Sequence, residues 1–185
     1  MSSIIKSFEA IEDKKGRSLS FTTKSDIPSL SLVTVNEMEE LSRKRNNCDL
    51  RICLHKNMNE RLHQMVILHH RGIYRRPQKH IRRDETYQMI KGKMALFIFG
   101  TKGEVINAKI LDKYDLFICR IRRGLWHVTI PVTPYVIFHE VKSGRFNRRL
   151  DSIYPLLAPK GDDRQENRIY YQKLLKRIKK NGNFS

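Results

Sequence analysis

Three residues between positions 78 and 85 have side chains that could bind a metal ion. Gln78, His80 and Glu85 offer an amide oxygen, an imidazole and a carboxylate within eight positions. Gln78 and His80 are two residues apart, so a β-strand would direct both side chains to the same face. A distant second imidazole, His127, could complete the set. Two histidines, a carboxylate and a weak neutral oxygen ligand can hold a divalent first-row metal.

The chain around these residues is predicted to form short β-strands. Eight runs rich in Val, Ile, Phe or Tyr are separated by turn-forming residues, a pattern typical of strands. They span residues 50–55, 61–70, 85–92, 93–100, 105–111, 115–122, 125–132 and 135–142. No helical pattern alternates with them, so a sandwich or barrel of antiparallel strands is predicted rather than a parallel sheet. Inward-facing side chains of such a barrel can converge on one cavity.

A helix is predicted on each side of the β-region. Residues 34–45 have Thr34 as a candidate N-cap and Glu37 three positions later, which is a capping box. Residues 163–180 form a basic helix whose apolar stripe follows helical spacing: Tyr171, Leu174, Leu175 and Ile178. Because this stripe is narrow and the charge is one-sided, the basic helix is predicted to lie at the periphery of the barrel.

These patterns divide the chain into three parts. The sequence predicts an N-terminal segment with the short helix at 1–50, a β-barrel at 51–145, and a loop with the basic helix at 146–185. The loop is expected to wrap back onto the barrel.

Composition narrows the class of protein. The 185 residues carry 37 Lys and Arg against 19 Asp and Glu, a formal net charge of +18, which favours anionic partners. No apolar run approaches the roughly 18 residues that span a membrane, and the first residues lack a secretion signal. Three cysteines without CxxC spacing argue against disulfides and thiolate zinc sites, so a cytoplasmic location is expected.

Basic residues flank both parts of the candidate site. Arg76 and Lys79 accompany the first part, and Arg122 precedes His127. Guanidinium groups bind phosphate through paired hydrogen bonds, so these three residues are candidate ligands of an anionic substrate. The alternative is that alternate residues on these strands simply point to solvent.

The spacing of the site residues resembles a known motif. Gly72, Gln78-Lys79-His80, Glu85 and Gly92 resemble the first cupin motif, with Gln78 in place of its usual first histidine. Gly124 and His127 resemble the second motif, where Arg122 and Pro131 replace the usual proline and asparagine. Across roughly residues 35–150, the successive blocks resemble the WbuC family of cupin-fold metalloproteins. They are "SRKRNNCDLRICLH", "LHQMVILHHRGIYRRPQKH", "DETYQMIKGKMALFIFGTKGEV", "GLWHVTIP" and "VIFHEVKSG".

The resemblance implies an all-β fold, the cupin-type antiparallel β-barrel, also described as a double-stranded β-helix or jelly roll. It implies metal ligands at Gln78, His80, Glu85 and His127, with the metal being iron, manganese, nickel or zinc. Because glutamine donates more weakly than imidazole, Gln78 is expected to weaken this site. The family is associated with surface-polysaccharide (O-antigen) synthesis, and barrels of this type often pair as homodimers.

The sequence leaves several functions open. One is a metal-dependent cupin that acts on an anionic sugar or sugar nucleotide, with His127 transferring a proton and Tyr87 as a substrate donor or a cavity wall. Another is a cupin that binds such a ligand without metal or turnover, with His80 and His127 hydrogen-bonded in a polar cavity. The third is a basic nucleic-acid or membrane-surface protein; nucleic acid is disfavoured because no recognised binding motif is present.

Overall fold

The computed structural model describes residues 5–8, 10–13, 19–147, 151–156 and 158–180, so the predicted terminal segments lie partly outside the described residues. Ten strands and two α-helices occur in the described part. The strands are β1 (Ile11–Glu12), β2 (Leu19–Thr22), β3 (Leu50–Cys53), β4 (Leu62–His70), β5 (Glu85–Lys91), β6 (Lys93–Phe99), β7 (Val105–Asp112), β8 (Ile118–Ile121), β9 (Trp126–Pro131) and β10 (Tyr135–Ser143). The helices are α1 (Leu32–Lys44) and α2 (Arg164–Lys180).

The strands form two facing sheets with the connectivity of a jelly roll. The large sheet has the order β1-β2-β3-β4-β10-β5-β8 and the small sheet the order β7-β6-β9. An isolated bridge between Gln78 and His127 adds a short fourth segment beside β9. Strands β4, β10, β5 and β8 of the large sheet face the Gln78 segment, β9, β6 and β7 of the small sheet. These eight strands have the arrangement of the cupin-type jelly roll. The predicted all-β fold is confirmed, and a strand is present in each of the eight predicted runs.

The space between the sheets changes from polar to apolar along the strands. On β5 the inward residues run Glu85, Tyr87, Met89, and on β10 they run from Glu140 to Phe138. The apolar end is filled by buried side chains of both sheets: Met65, Ile67, Met89, Met94, Leu96, Leu111, Val136 and Phe138. The polar end holds the candidate site.

Helix α1 covers the outer face of the large sheet, where Met38 and Leu41 pack in one buried cluster with strand residues. Its N-cap is Ser31 rather than the predicted Thr34. The Ser31 hydroxyl accepts from the Thr34 backbone N–H at 3.4 Å, and the Thr34 hydroxyl accepts from the Ser31 N–H at 3.3 Å. Thr34 therefore takes the place that glutamate or glutamine usually has in a capping box. Glu37 instead accepts from the backbone N–H of Ser7.

Helix α2 covers the outer face of the small sheet, so its predicted peripheral position is wrong. Tyr171 and Leu174 are buried in one cluster with Phe97, Phe99 and Val128. The cause lies in β6, whose outward residues are as apolar as its inward ones and would otherwise face water. Neither described helix combines the length and the apolar character that a membrane-spanning helix requires.

The N-terminal strands β1 and β2 were not predicted. β2 extends the large sheet by pairing parallel to β3, whereas the other strand pairs of this sheet are antiparallel. Its sequence, LSFT, is too short to stand out by its pattern alone. The extra strands continue the sheet beneath α1 and do not reach the polar end.

Candidate metal centre

Three side chains from separate parts of the chain converge at the polar end. Glu85 begins β5, His127 lies on β9, and His80 follows the short segment that pairs with β9. The Nε2 atom of His80 contacts the Glu85 carboxylate, and Nε2 of His127 lies 3.1 Å from Glu85 Oε2. One ligand atom from each residue lies within 4.8 Å of the other two. All three side chains are at most 3% exposed.

Both imidazoles are held in one orientation by backbone carbonyls. Nδ1 of His80 donates to the carbonyl of Asp151, and Nδ1 of His127 donates to the carbonyl of Leu125 at 3.0 Å. A proton on Nδ1 leaves the lone pair on Nε2, the atom that faces Glu85. Histidine ligands of protein metal sites are oriented in this way by their second nitrogen.

The facing atoms fit a metal ion better than they fit one another. Nε2 of His80 and Nε2 of His127 are buried against the Glu85 carboxylate, and the buried Oε1 of Glu85 contacts His80 and the Lys142 ammonium. None of these contacts has the geometry of a hydrogen bond, and buried polar atoms that make no hydrogen bond are rare in folded proteins. Two imidazoles and a carboxylate suit a divalent first-row metal. This geometry therefore supports the prediction that His80, Glu85 and His127 form a cluster able to bind a metal.

The side chain of Lys142 lies beside the cluster and contacts two carboxylates, those of Glu85 and Glu140. Lys142 is the direct cross-strand partner of Glu85 in the β5–β10 pair. Its ammonium lies 2.8 Å from Glu85 Oε1 and 2.7 Å from Glu140 Oε1. Burial alone would lower the pKa of Lys142, but the charges of Glu140 and Glu85 raise it above its ordinary value. The polar end therefore holds two carboxylates and one ammonium.

The same charges set the protonation of the ligand residues. Burial alone would raise the pKa of Glu85, but the charge of Lys142 and the two imidazoles hold it well below its ordinary value. Burial alone would lower the pKa of His80, whereas the contact with Glu85 raises it overall. Glu85 is thus an anion at neutral pH, which is the form that ligates metal.

Tyr87 supports the carboxylate from the same strand. Its hydroxyl donates to Glu85 Oε2. Burial and the negative charge of Glu85 raise the pKa of Tyr87 well above its ordinary value, so the phenol keeps its proton. Tyr87 also lines the cavity, and its role as a substrate donor stays a prediction.

A cavity of about 420 Å³ opens above the cluster. His127 and Tyr87 form part of its floor, and three basic residues, Arg75, Arg76 and Lys160, line it. Arg75 is already engaged, because it pairs with Asp49. Arg76 donates from Nη2 to the carbonyl of Pro155 at 2.8 Å, while its buried Nε has no partner.

The structure brings most of the predicted site residues together. His80, Glu85 and His127 converge, Arg76 lines the cavity, and Gln78 lines it beside His127. The backbones of Gln78 and His127 exchange two hydrogen bonds of 2.8 Å, which sets their side chains next to each other.

Two of the predicted substrate-binding residues lie elsewhere. The ammonium of Lys79 lies 4.3 Å from the ring centre of Trp126, on the outer side of the small sheet. Arg122 is exposed and does not line the cavity. Lys79 stands between Gln78 and His80, so strand alternation directs it away from them.

The sequence did not single out Lys142 as a site residue, and it left open whether Glu140, near the end of a predicted strand, supports the cavity or satisfies backbone groups at the barrel rim. The available signal was the period-two series Phe138, Glu140, Lys142 on strand β10, whose other residues are mostly apolar. An acid and a base at alternate positions of such a strand face the same interior. His69 has no ligand-like residue near it in the sequence, which predicts an ordinary surface or core residue, but it also lines the cavity, and its buried Nδ1 makes no hydrogen bond.

A family described as a domain of unknown function (DUF6016) matches residues 31–111. This stretch runs from the N-cap of α1 to β7 and includes Gln78, His80 and Glu85, but not His127. No protein of curated function matches the chain at a significant level.

Several solved structures are similar to part of the chain. The capsular polysaccharide assembling protein CapF from Staphylococcus aureus is 16% identical with a TM-score of 0.46, over 52% of this chain and 27% of CapF. An oxalate decarboxylase variant from B. subtilis is 18% identical with a TM-score of 0.43, over 52% of this chain and 25% of the decarboxylase. KdgF from Halomonas sp. is 18% identical with a TM-score of 0.42, over 55% of this chain and 84% of KdgF. The chain spans about a quarter of the length of the first two proteins.

Proposed function

We propose that this protein is a metal-dependent cupin that acts on an anionic sugar derivative, such as a sugar nucleotide. The observation that carries the proposal is the convergence of three buried ligand atoms that make no hydrogen bond with one another, next to a cavity that His127 lines together with basic residues. His80, Glu85 and His127 would hold the metal, and Gln78, beside His127, would be a weak fourth ligand. A divalent cation in this position would supply Lewis acidity.

The residues around the cluster have defined parts in this proposal. Tyr87 orients the Glu85 carboxylate through its hydroxyl, and Lys142 keeps that carboxylate charged. Arg76 has an unpartnered Nε in the cavity wall and would bind the phosphoryl or carboxylate group of the substrate. Lys160 lies on the same wall, exposed, and adds positive charge at the opening.

The biological setting follows from the sequence resemblance. The blocks that resemble the WbuC family support a place in surface-polysaccharide (O-antigen or lipopolysaccharide) synthesis. A cytoplasmic location agrees with the three free cysteines, Cys48, Cys53 and Cys119. Pairing as a homodimer stays a prediction from the same resemblance.

A second candidate function is a cupin that binds an anionic sugar or nucleotide without metal. The position of Lys142 favours it, since an ammonium 2.8 Å from Glu85 already neutralises the carboxylate that a metal would use. In this alternative His80 and His127 bind the ligand by hydrogen bonds. The two functions differ in one measurable property, the metal content of the protein.

The test combines metal analysis with ligand titration. Protein purified without chelator is analysed for iron, manganese, nickel and zinc, and metal-free protein is titrated with each ion by calorimetry. The loaded protein is then titrated with a sugar nucleotide. Arg76→Gln is expected to weaken the binding of the sugar nucleotide by about tenfold or more, because a charged hydrogen bond contributes roughly 1.5–3 kcal/mol.

Arg122→Gln is the matched control, since it removes the same charge from an exposed site outside the cavity, and its affinity should equal that of the native protein. Absence of metal binding to the native protein would leave the metal-free candidate. Equal affinities of Arg76→Gln and Arg122→Gln would contradict the assignment of the cavity to an anionic ligand.

A further inference from the structure

A second basic cavity lies beyond the candidate metal centre and shares no lining residue with the first. Its volume is about 740 Å³, and four arginines line it: Arg61, Arg82, Arg83 and Arg145. Asp151 is the one acidic side chain in this lining. Small-molecule sites have volumes of roughly 300–1,000 Å³, so the cavity has the size of a metabolite site.

Arg83 gives this cavity a buried donor without a partner. The residue is 4% exposed, its Nε donates to the carbonyl of Ser143 at 2.9 Å, and its Nη1 pairs with Asp151. Its Nη2 is buried and has no hydrogen-bond partner. A guanidinium held by two neighbours with its third nitrogen unsatisfied is rare, because buried polar groups are almost always paired. The geometry therefore leaves one donor direction for an external acceptor.

The other three arginines surround this donor from separate parts of the chain. Arg61 precedes β4, Arg82 precedes β5, and Arg145 follows β10. All three are exposed, and none has a carboxylate within ion-pair distance among the described residues. Four guanidinium groups against one carboxylate give the cavity a large excess of positive charge.

We propose that this cavity is a second ligand site, which binds the phosphoryl group of a small molecule. Phosphate oxygens accept paired hydrogen bonds from planar guanidinium groups, and Arg83 offers an unpartnered nitrogen for one of them. The concave shape and the single buried arginine favour a compact oxyanion over an extended nucleic-acid backbone, which contacts basic residues along an exposed surface. The site is independent of the function proposed for the first cavity.

The experiment titrates the full-length protein with inorganic phosphate and with glucose 1-phosphate. Calorimetry gives the affinity, and the ¹⁵N–¹H signal of the Arg83 Nε reports the position of the ligand. Arg82→Gln and Arg145→Gln remove exposed side chains, so thermal unfolding should match that of the native protein. Each is expected to weaken phosphate binding on the order of tenfold, because each removes a charge-assisted hydrogen bond.

Two control variants separate this cavity from the rest of the charged surface. Arg168→Gln removes an exposed arginine of α2, and Arg122→Gln removes an exposed arginine that lines neither cavity; both should bind phosphate within about twofold of the native protein. Tighter binding of glucose 1-phosphate than of phosphate would assign a phosphorylated metabolite, and the reverse would assign free phosphate.

Three outcomes would overturn the proposal. The first is no phosphate binding at millimolar concentration, and the second is binding that leaves the Arg83 signal unmoved. The third is an equal loss of affinity in all four variants, or competition by short duplex DNA that all four weaken alike, which would indicate general electrostatic attraction by a protein of net charge +18.

Discussion

Two pairs of buried histidines lie in the same jelly roll, and their environments differ. His55 and His63 stack with ring centres 4.3 Å apart and an angle of 16° between the rings. His80 and His127 are tilted by 47° with ring centres 5.6 Å apart, and the Glu85 carboxylate contacts both. Members of both pairs are at most 4% exposed. Burial is therefore common to both pairs, and the carboxylate distinguishes them.

The difference appears in the protonation of the two pairs. Burial lowers the pKa of His55 and His63, and each ring has a backbone carbonyl within hydrogen-bond distance, that of Gln64 or Glu60. The pKa of His80 is raised, because the contact with Glu85 outweighs burial. In this protein the pair that forms a candidate metal site is the one whose Nε2 atoms both face a carboxylate.

The largest expected effect comes from removing the cation that balances the carboxylates. Lys142→Met leaves Glu85 and Glu140 buried without their ammonium, and breaking a buried ion pair destabilises a protein by about 3–5 kcal/mol. Urea unfolding at neutral pH measures this loss. Zinc or manganese should restore part of it, because a divalent cation at Glu85 would replace the missing positive charge.

The control for this change is Lys91→Met, which removes the exposed pairing with Glu39. A surface ion pair contributes about 0–1 kcal/mol, so this variant should unfold near the native midpoint. Equal losses in the two lysine variants would show that the two carboxylates do not depend on Lys142.

The next effect contrasts the two histidine pairs directly. His80→Ala removes one of two imidazole ligands, and we expect calorimetry to show divalent-metal binding weakened by about a hundredfold or more, which is about 2.7 kcal/mol. His63→Ala removes an equally buried imidazole from the stacked pair and should keep the native metal affinity within about twofold. If both variants lose metal to the same degree, the carboxylate does not distinguish the pairs.

A smaller effect would sharpen the comparison by adding a third imidazole. Gln78 lines the cavity beside His127, so Gln78→His is expected to tighten metal binding by about tenfold, or 1.4 kcal/mol. Gln88→His makes the same replacement at an exposed position of β5 and should leave the affinity unchanged. Titration of both variants with zinc and nickel decides whether Gln78 is within reach of the metal.

The smallest effect concerns pH and the stacked pair. Because the pKa values of folded His55 and His63 lie below the ordinary value, their contribution to stability is complete above the unfolded pKa and is lost as pH falls below it. The charges near His55 act in both directions: Glu60 raises its pKa, whereas Arg51 and Arg83 lower it. We expect native protein to lose on the order of 1 kcal/mol from this pair between pH 7.5 and 5.5.

His63→Phe keeps a stacked ring but cannot be protonated there, so its unfolding free energy should fall less over the same range. His80, whose pKa is raised, acts in the opposite direction and is present in both proteins. The difference between the two slopes in urea unfolding isolates the contribution of His63, because His55 is also present in both proteins. Identical slopes would mean that His63 does not titrate in this window.

The sequence allowed the centre to be predicted where local spacing determines geometry. Gln78 lines the cavity and His80 joins the cluster with Glu85 and His127, as expected for alternate residues of an extended segment. Gly92 has a φ of +81° at the turn between β5 and β6. A Cβ there would lie 2.6 Å from the carbonyl oxygen of Tyr135, so only glycine fits this position without a shift. The motif spacing therefore encodes a turn as well as ligands.

The parts that escaped prediction depend on contacts between distant residues. Lys142 meets Glu85 only through the register of β5 against β10, which pairs residues 57 positions apart by number, and no local pattern fixes that register. Helix α2 was misplaced because its own narrow stripe was weighed without the outward apolar face of β6. Lys79, by contrast, could have been rejected from strand alternation alone.

The contact between His80 and Asp151 determines when the centre can form. The two residues are 71 positions apart, and the carbonyl that orients the imidazole belongs to a segment beyond the last strand. During synthesis at ~5–20 residues per second, His80 precedes Asp151 by roughly 4–14 s. The nascent chain therefore has no assembled site with which to capture whichever ion binds imidazole most tightly. A metal ion bound at this centre would therefore be selected by the finished fold, at the free-ion concentrations of the compartment in which folding ends.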